Sequence, residues 1–388
     1  MDRREAIRTA LGEEAPDLVL KHARLVDVLT GTVYPADVAI RDGVIAGVGD
    51  YSGPAEVDLG GRYLAPGLIN AHCHVESSMA LPRAYCPEEL RWGVTTLITD
   101  PHEIANVCGG EGLRFLLDES EGLPINYYVQ LPSCVPATRF EHAGAVLSAR
   151  ELAPFLKEER VLGLGALMDY PGVAACDPAV LEKLDLFAGR IVDGHAPGLT
   201  GKGLQAYAAA GVRTDHESTT WEEARDKLRA GIAVLVREGS ASKNLTAILT
   251  GALREGVSTR EMAFCSDDKH LADIRREGTI RHNLRLAVAL GMDPVEAVAM
   301  GSLNAARIFR LPNLGAIAPG YRADLVAFED LRDFAVSAVY KDGRPVDADA
   351  LAADSGRQPG IGPVFRSVRP APLTAAALAL PDRAVQPV

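Results

Sequence analysis

The chain has 388 residues, of which 47% are hydrophobic and 24% charged, with a formal net charge of -12. That length accommodates one large domain beside a smaller one, and the composition is that of an ordinary soluble globular protein. The acidic balance, with no Lys/Arg runs, excludes nucleic acid and anionic membrane as partners, and no apolar run approaches membrane-spanning length.

Residues 1–14 are charged and lack the apolar core of a signal peptide. The six cysteines, at positions 73, 86, 108, 134, 176 and 265, show neither CxxC spacing nor disulfide density. They read as free thiols in a reducing compartment, so a cytoplasmic protein is expected. Residues 1–65 continue with short strands at 17–20, 23–28, 36–40 and 43–48, punctuated by Thr30-Gly31 and Asp42-Gly43 turns. The same texture returns in residues 313–345, at 323–328 and 334–340. These two stretches predict the halves of one small composite β-sandwich.

Between them, from 66 to 312, apolar strands alternate with helical patterns. The strands fall at 67–71, 95–100, 126–130, 161–168, 190–194, 211–215, 233–236 and 262–266. Eight strands with intervening helices predict an α/β fold, a closed (β/α)8 TIM-like barrel whose chemistry sits at the C-terminal ends of its strands. Residues 346–388 are rich in Ala, Pro and Leu without a clear period, and read as an extension or linker.

Polar residues follow nearly every one of these strands: His72 and His74; Asp100, His102 and Glu103; Ser133 and Thr138; Asp169; His195; His216 and Glu217; Glu238 and Lys243; Asp267 and Asp268. Singly, each reads as a loop residue facing water. Repeated at strand after strand, they point to a built site. His72 and His74 stand two apart on an extended strand and so share a face, where paired imidazoles can hold one divalent metal. Asp267, from the last strand, becomes their neighbour once the barrel closes. A metal there lowers the pKa of bound water toward ~7, and Asp267 can take the proton. His195 and His216 lie on the same rim; each is a ligand, a second-metal ligand, or an orienting hydrogen-bond partner. Alternation turns Cys73 away from the metal.

Seven motifs then carry a resemblance. They are Asn70-Ala71-His72-Cys73-His74-Val75-Glu76-Ser77-Ser78, Asp100-Pro101-His102-Glu103-Ile104-Ala105-Asn106, Pro132-Ser133-Cys134-Val135-Pro136-Ala137-Thr138, and Gly194-His195-Ala196-Pro197-Gly198. Asp215-His216-Glu217, Arg237-Glu238-Gly239-Ser240-Ala241-Ser242-Lys243-Asn244 and Ser266-Asp267-Asp268-Lys269-His270 complete the set. Over about residues 15–345 the chain resembles the adenine deaminases of the amidohydrolase superfamily. The resemblance implies a metal-dependent barrel enzyme of purine salvage that hydrolyses adenine to hypoxanthine and ammonia. It implies one or two divalent ions per chain, manganese or iron before zinc, a small purine substrate and a homo-oligomer.

By the same resemblance His72, His74, His195 and Asp267 hold a metal, and His216 orients the nucleophile. Attack falls on C6, Asp267 takes the proton, and Glu103, with Glu76 as the alternative, protonates N1. Glu103 otherwise contacts the purine edge, and Asn106, Ser133 and Lys243 shape its pocket. Plainer roles stand beside these: Glu76 as a helix cap, Glu103 as the partner of a loop cation.

Two departures qualify the resemblance. Relatives end the fourth barrel strand in a glutamate that bridges two metals, whereas this chain has Ala166, which coordinates nothing. Without that anion two cations a few ångströms apart repel, so a second metal should bind weakly. Relatives also carry a further C-terminal domain. The readings are therefore an adenine deaminase, an enzyme acting on another aminopurine or a cyclic amide, or a catalytically impaired purine-binding homologue. A nucleic-acid deaminase is excluded by charge and by the missing His-x-Glu…Pro-Cys-x-x-Cys zinc signature.

Overall fold

The structure is a computed structural model and describes residues 2–138, 140–354, 362–369 and 371–379. Its chain order begins with a small β unit: β1 (Leu18–Asp27), β2 (Thr32–Arg41), β3 (Val44–Gly49), β4 (Glu56–Asp58) and β5 (Tyr63–Pro66). Then come the eight barrel strands, β6 (Leu68–Cys73), β7 (Val94–Thr99), β8 (Asn126–Pro132), β9 (Val161–Leu167), β10 (Ile191–Gly194), β11 (Thr214–Asp215), β12 (Ala233–Arg237) and β13 (Met262–Cys265). Three strands, β14 (Leu325–Phe328), β15 (Val336–Lys341) and β16 (Arg344–Pro345), return to the first unit.

The two ends of the chain form one mixed sheet in the order β16-β15-β14-β5-β1-β2-β3, with β4 beside β1. Its joint is the antiparallel pairing of β14 with β5, where Val326 faces Ala65 and Leu325 faces Pro66. Residues 43–45 also bond to residues 320–323, so the sheet curls over its own core of Leu20, Leu25, Val38, Ile40, Ile45 and Leu325.

All eight predicted barrel strands form, parallel and in sequential order from β6 to β13. β6, β7 and β12 are buried along their whole length, as expected of parallel strands covered on both faces. β11 is shorter than the predicted 211–215. Gly211 sits at φ +103 in the turn after the helix Gly201–Ala209, so only Thr214 and Asp215 pair. Ile69, Ile98, Ile191, Leu235 and Ala263 come from strands all around the ring yet form one cluster with Ala305, Ala306, Phe309 and Leu311. The helix Leu303–Ile308 and the residues after it therefore plug the barrel from below. Each large apolar side chain buried there contributes about 1.5–3 kcal/mol, and the dry plug leaves the other end for polar chemistry.

Of the predicted extension, the helix Ala348–Asp354 packs beside the helix Pro82–Arg91, with Asp349 2.6 Å from Arg91. Residues 355–361, 370 and 380–388 of that stretch lie outside the described residues. Among the described residues no helix is long and apolar enough to cross a membrane.

Candidate metal centre

The seam between the first and last barrel strands builds the site. The amide of Asp267 donates to the carbonyl of His72 at 3.0 Å, and the amide of His74 donates to the carbonyl of Asp267 at 3.4 Å. This pairs Cys73 with Asp267 in parallel and holds Asp267 at φ +54, a left-handed conformation sparsely used outside glycine. Cys73 is turned away, its thiol directed to the Ile98 carbonyl at 3.8 Å.

The side chains on either side of Cys73 converge. His72 Nε2 and His74 Nε2 lie 3.1 Å apart, and Asp267 Oδ1 is 3.2 Å from His74 Nε2 and 3.8 Å from His72 Nε2. The far nitrogens differ. His74 Nδ1 meets the Asp100 carbonyl at 2.8 Å, whereas His72 Nδ1 lies 2.9 Å from Asp193 Oδ2 without an aligned hydrogen bond among the described residues. Engagement at Nδ1 leaves His74 to offer Nε2, the nitrogen that faces Asp267. Burial opposes a charge on His74, yet Asp267 and Glu103 raise its pKa well above the ordinary histidine value. Burial likewise opposes ionisation of Asp267, and the His74 and His216 rings overcome it, holding the carboxyl well below the usual range. A point that attracts a proton this strongly attracts a cation for the same reason. Two imidazoles and a carboxylate are also a donor set suited to a divalent metal.

His195 and His216 do not crowd onto that point; they form a second group with Glu217. His216 stacks on His72 with centroids 3.7 Å apart, and His195 meets His216 edge-on at 5.3 Å. Glu217 Oε1 lies 3.7 Å from His195 Nδ1 and 3.8 Å from His216 Nε2. Arg237 ties the two groups together, donating to Asp267 Oδ2 at 2.8 Å and to Glu217. Burial and the His216 charge push His195 down to about 4. His216 is raised to about 9, because Asp193 outweighs its burial.

On the β7 side, Glu103 lies 3.6 Å from His74 Nδ1 and 3.4 Å from His102 Nε2. His102 Nδ1 lies 3.4 Å from Asp100, whose buried carboxylate oxygens have no hydrogen-bond partner. The His74 interaction outweighs burial and lowers the pKa of Glu103, whereas burial and the Glu103 charge push Glu76 up to about 7. Asn106 stands three residues beyond Glu103 in the helix His102–Cys108, on the same side.

Ser133 donates its hydroxyl to the Ala166 carbonyl at 2.7 Å. Lys243 is exposed, bridged through its backbone to Glu238 in the loop after β12, and is not brought to the histidines. Ala166, buried at the end of β9 with φ +25, has no carboxylate in its place. Asp169 does not substitute for one, because it is exposed and caps the helix Tyr170–Ala174, accepting from the Gly172 amide at 2.8 Å. The neighbouring Gly165 instead leaves room for Asp100: a Cβ there would stand 2.7 Å from that carboxyl carbon.

The sequence reading does not reach Asp193 and Arg237 as site residues. Asp193 lies inside a strand rather than after it, although a charged side chain within an apolar run is itself a signal; Arg237 directly follows the expected strand 233–236 and opens one of the seven motifs, so its position did carry a signal. Asp193 also stands two residues before His195, on the same face of the chain by strand alternation.

Comparison with known proteins gives one consistent picture. The amidohydrolase family model matches residues 63–346. The chain is 47% identical to an adenine deaminase of Desulfitobacterium hafniense over 348 residues, which is 90% of this chain and 61% of the relative. It is 48% identical to adenine deaminase 2 of Carboxydothermus hydrogenoformans over 354 residues, 91% of this chain and 61% of the relative. The chain thus spans about three-fifths of the length of these curated relatives. Among solved structures, an adenine deaminase superposes with a TM-score of 0.64 at 20% identity, covering 86% of this chain and all of that one. A variant of atrazine chlorohydrolase from Arthrobacter aurescens, complexed with zinc and atraton, superposes at 0.66 with 16% identity, over 87% of this chain and 99% of its own. These two likenesses speak to the fold alone.

Proposed function

Because this chain belongs to the amidohydrolase family, we propose that it hydrolyses adenine to hypoxanthine and ammonia at a divalent-cation centre on the barrel rim. The observation that carries this reading is the convergence of His72 Nε2, His74 Nε2 and Asp267 Oδ1 within 3.1–3.8 Å of one another. The relatives named adenine deaminase, at 47–48% identity over nine-tenths of this chain, supply the substrate.

His72, His74 and Asp267 would hold the cation, with manganese or iron preferred to zinc, while His195, in the neighbouring group with His216 and Glu217, would serve as a ligand of a second ion or as an orienting partner. When bound, the cation supplies the Lewis acidity that makes hydroxide available near neutral pH. Asp267 Oδ1 accepts the proton of the attacking water, while Arg237 on Oδ2 keeps the carboxylate anionic beforehand. His216, beside His72, orients the nucleophile toward C6.

The second proton goes to N1 of the purine. Glu103, 3.6 Å from His74 Nδ1, is the candidate acid, with Glu76 as the alternative; Glu103 otherwise contacts the purine edge, with Asn106 beside it. Asp267 then returns its proton to the exocyclic nitrogen, so the C6–N bond breaks with ammonia as a neutral leaving group, and the C6 hydroxyl proton restores the acid as the carbonyl forms. The free thiols and the family resemblance favour a cytoplasmic homo-oligomer acting on a free small purine.

A second reading has its own observation, Ala166 at the end of β9: a homologue that binds purine but turns it over poorly. Product analysis across adenine, N6-methyladenine, guanine and a cyclic amide (ammonia, methylamine, ammonia and ring-opened acid, respectively), with metal content assayed in the same sample, separates the readings. Adenine as the preferred substrate supports deamination. Ring opening of the lactam with no ammonia from adenine overturns it, and less than one metal per chain without turnover supports the binding homologue.

A further inference from the structure

We infer that Asp193 is the positioning residue of the metal centre, one carboxylate oxygen setting both His72 and His216 from behind. The inference rests on the cation site proposed above. Asp193 is fully buried on β10, which stands opposite β6 in the ring of eight strands. Its Oδ2 lies 2.9 Å from His72 Nδ1 and 3.5 Å from His216 Nδ1, and these three buried atoms, facing one another, make no aligned hydrogen bond among the described residues. Its Oδ1 accepts from the Thr214 hydroxyl, across the register that pairs Asp193 with Thr214. The carboxylate thus reaches across the barrel axis and joins three strands, β6, β10 and β11, beneath the site.

The direction of these contacts gives them their function. Both imidazoles meet Asp193 through Nδ1, the nitrogen on the far side of the ring from Nε2. His72 Nε2 is the atom 3.1 Å from His74 Nε2. An acceptor at Nδ1 fixes the tautomer, aims Nε2 and raises its basicity as a ligand, which is how an outer carboxylate strengthens a metal site. The near-parallel stack of His72 on His216, 19° between planes, is the packing expected of two rings anchored on one oxygen. The Thr214 hydroxyl meets only Oδ1, so the charge of this fully buried carboxylate has the two rings beside Oδ2 as its facing groups.

The test uses the full chain, freed of metal and titrated with Mn(II) or Co(II) in the absence of any purine. Asp193→Asn is nearly isosteric and removes the charge that faces both rings. Expected are an unchanged number of metals per chain, an affinity weaker by about 10- to 100-fold, and shifted visible bands of the Co(II) form. Thr214→Val, which frees the other carboxylate oxygen, should move affinity and spectrum in the same direction by less. Wild-type affinity in folded Asp193→Asn overturns the inference, as does loss of one whole equivalent of metal, which would make Asp193 a ligand. If Asp193→Asn does not fold, wild-type affinity and spectrum in Thr214→Val overturn it. Wild-type protein that binds neither metal removes the site reading itself, so the two failures are told apart.

Discussion

The amide of Asp267 donates to the carbonyl of His72 across the seam that closes the barrel, at 3.0 Å. The same contact that joins the last strand to the first therefore brings the carboxylate to the imidazoles. Asp267→Asn preserves this backbone pairing while removing the anion. It should cost most of the bound metal and lower ammonia release from adenine by about 10²–10⁴-fold, the range associated with a lost acid–base group. Metal analysis and a steady-state ammonia assay check both; a variant with wild-type rates would remove Asp267 from the chemistry.

Ala166→Glu tests the departure at β9. If the missing carboxylate limits the centre, metal content should rise toward two per chain and turnover should rise with it. The substitution also forces bulk into a buried position, with a typical overpacking cost of about 1–3 kcal/mol, so a modest fall in melting temperature is expected beside the gain. One metal per chain with an unchanged rate would show that the bridge is not what limits activity.

Lys227 is fully buried and paired with Asp215 and Glu223. Asp215 accepts from the amides of Ala196 and Glu217, and Glu223 from that of Gly198, so this ion triad braces the loops that carry His195 and His216. Lys227→Met leaves two buried carboxylates without a counter-charge and should cost about 3–5 kcal/mol in chemical denaturation. A loss below 1 kcal/mol would contradict this account.

Acid stability should carry the mark of His282, which burial and the Lys269 charge push down from 6.5 to about 4. Across that window the unfolded chain takes up a proton that the folded chain refuses. Stability is therefore present above about pH 6.5 and is lost as the pH falls toward 4. His282→Gln should flatten the slope of unfolding free energy over this range; an unchanged slope would place the acid sensitivity elsewhere.

Much of this site was legible in the sequence because its residues follow continuous apolar strands. Period two placed His72 and His74 together around Cys73, and closure of an eight-strand ring made Asp267 their neighbour. What stayed hidden are side chains whose partners lie far away in the chain. Asp193 sits within a strand, where polarity reads as noise until the partner across the barrel is known, and Arg237 closes a strand whose two neighbours carry its partners Glu217 and Asp267. Lys227 lies on the charge-rich helix Trp221–Arg229, yet it points inward onto Asp215. Lys243 shows the opposite failure: a charged residue in a family motif, left exposed by a loop that turns outward.

Anomalous scattering from crystals grown with manganese tests the central claim most directly. The account predicts an ion bonded to His72 Nε2, His74 Nε2 and Asp267 Oδ1. A manganese peak bound elsewhere, with those three atoms left uncoordinated in protein that carries at least one metal per chain, would contradict it.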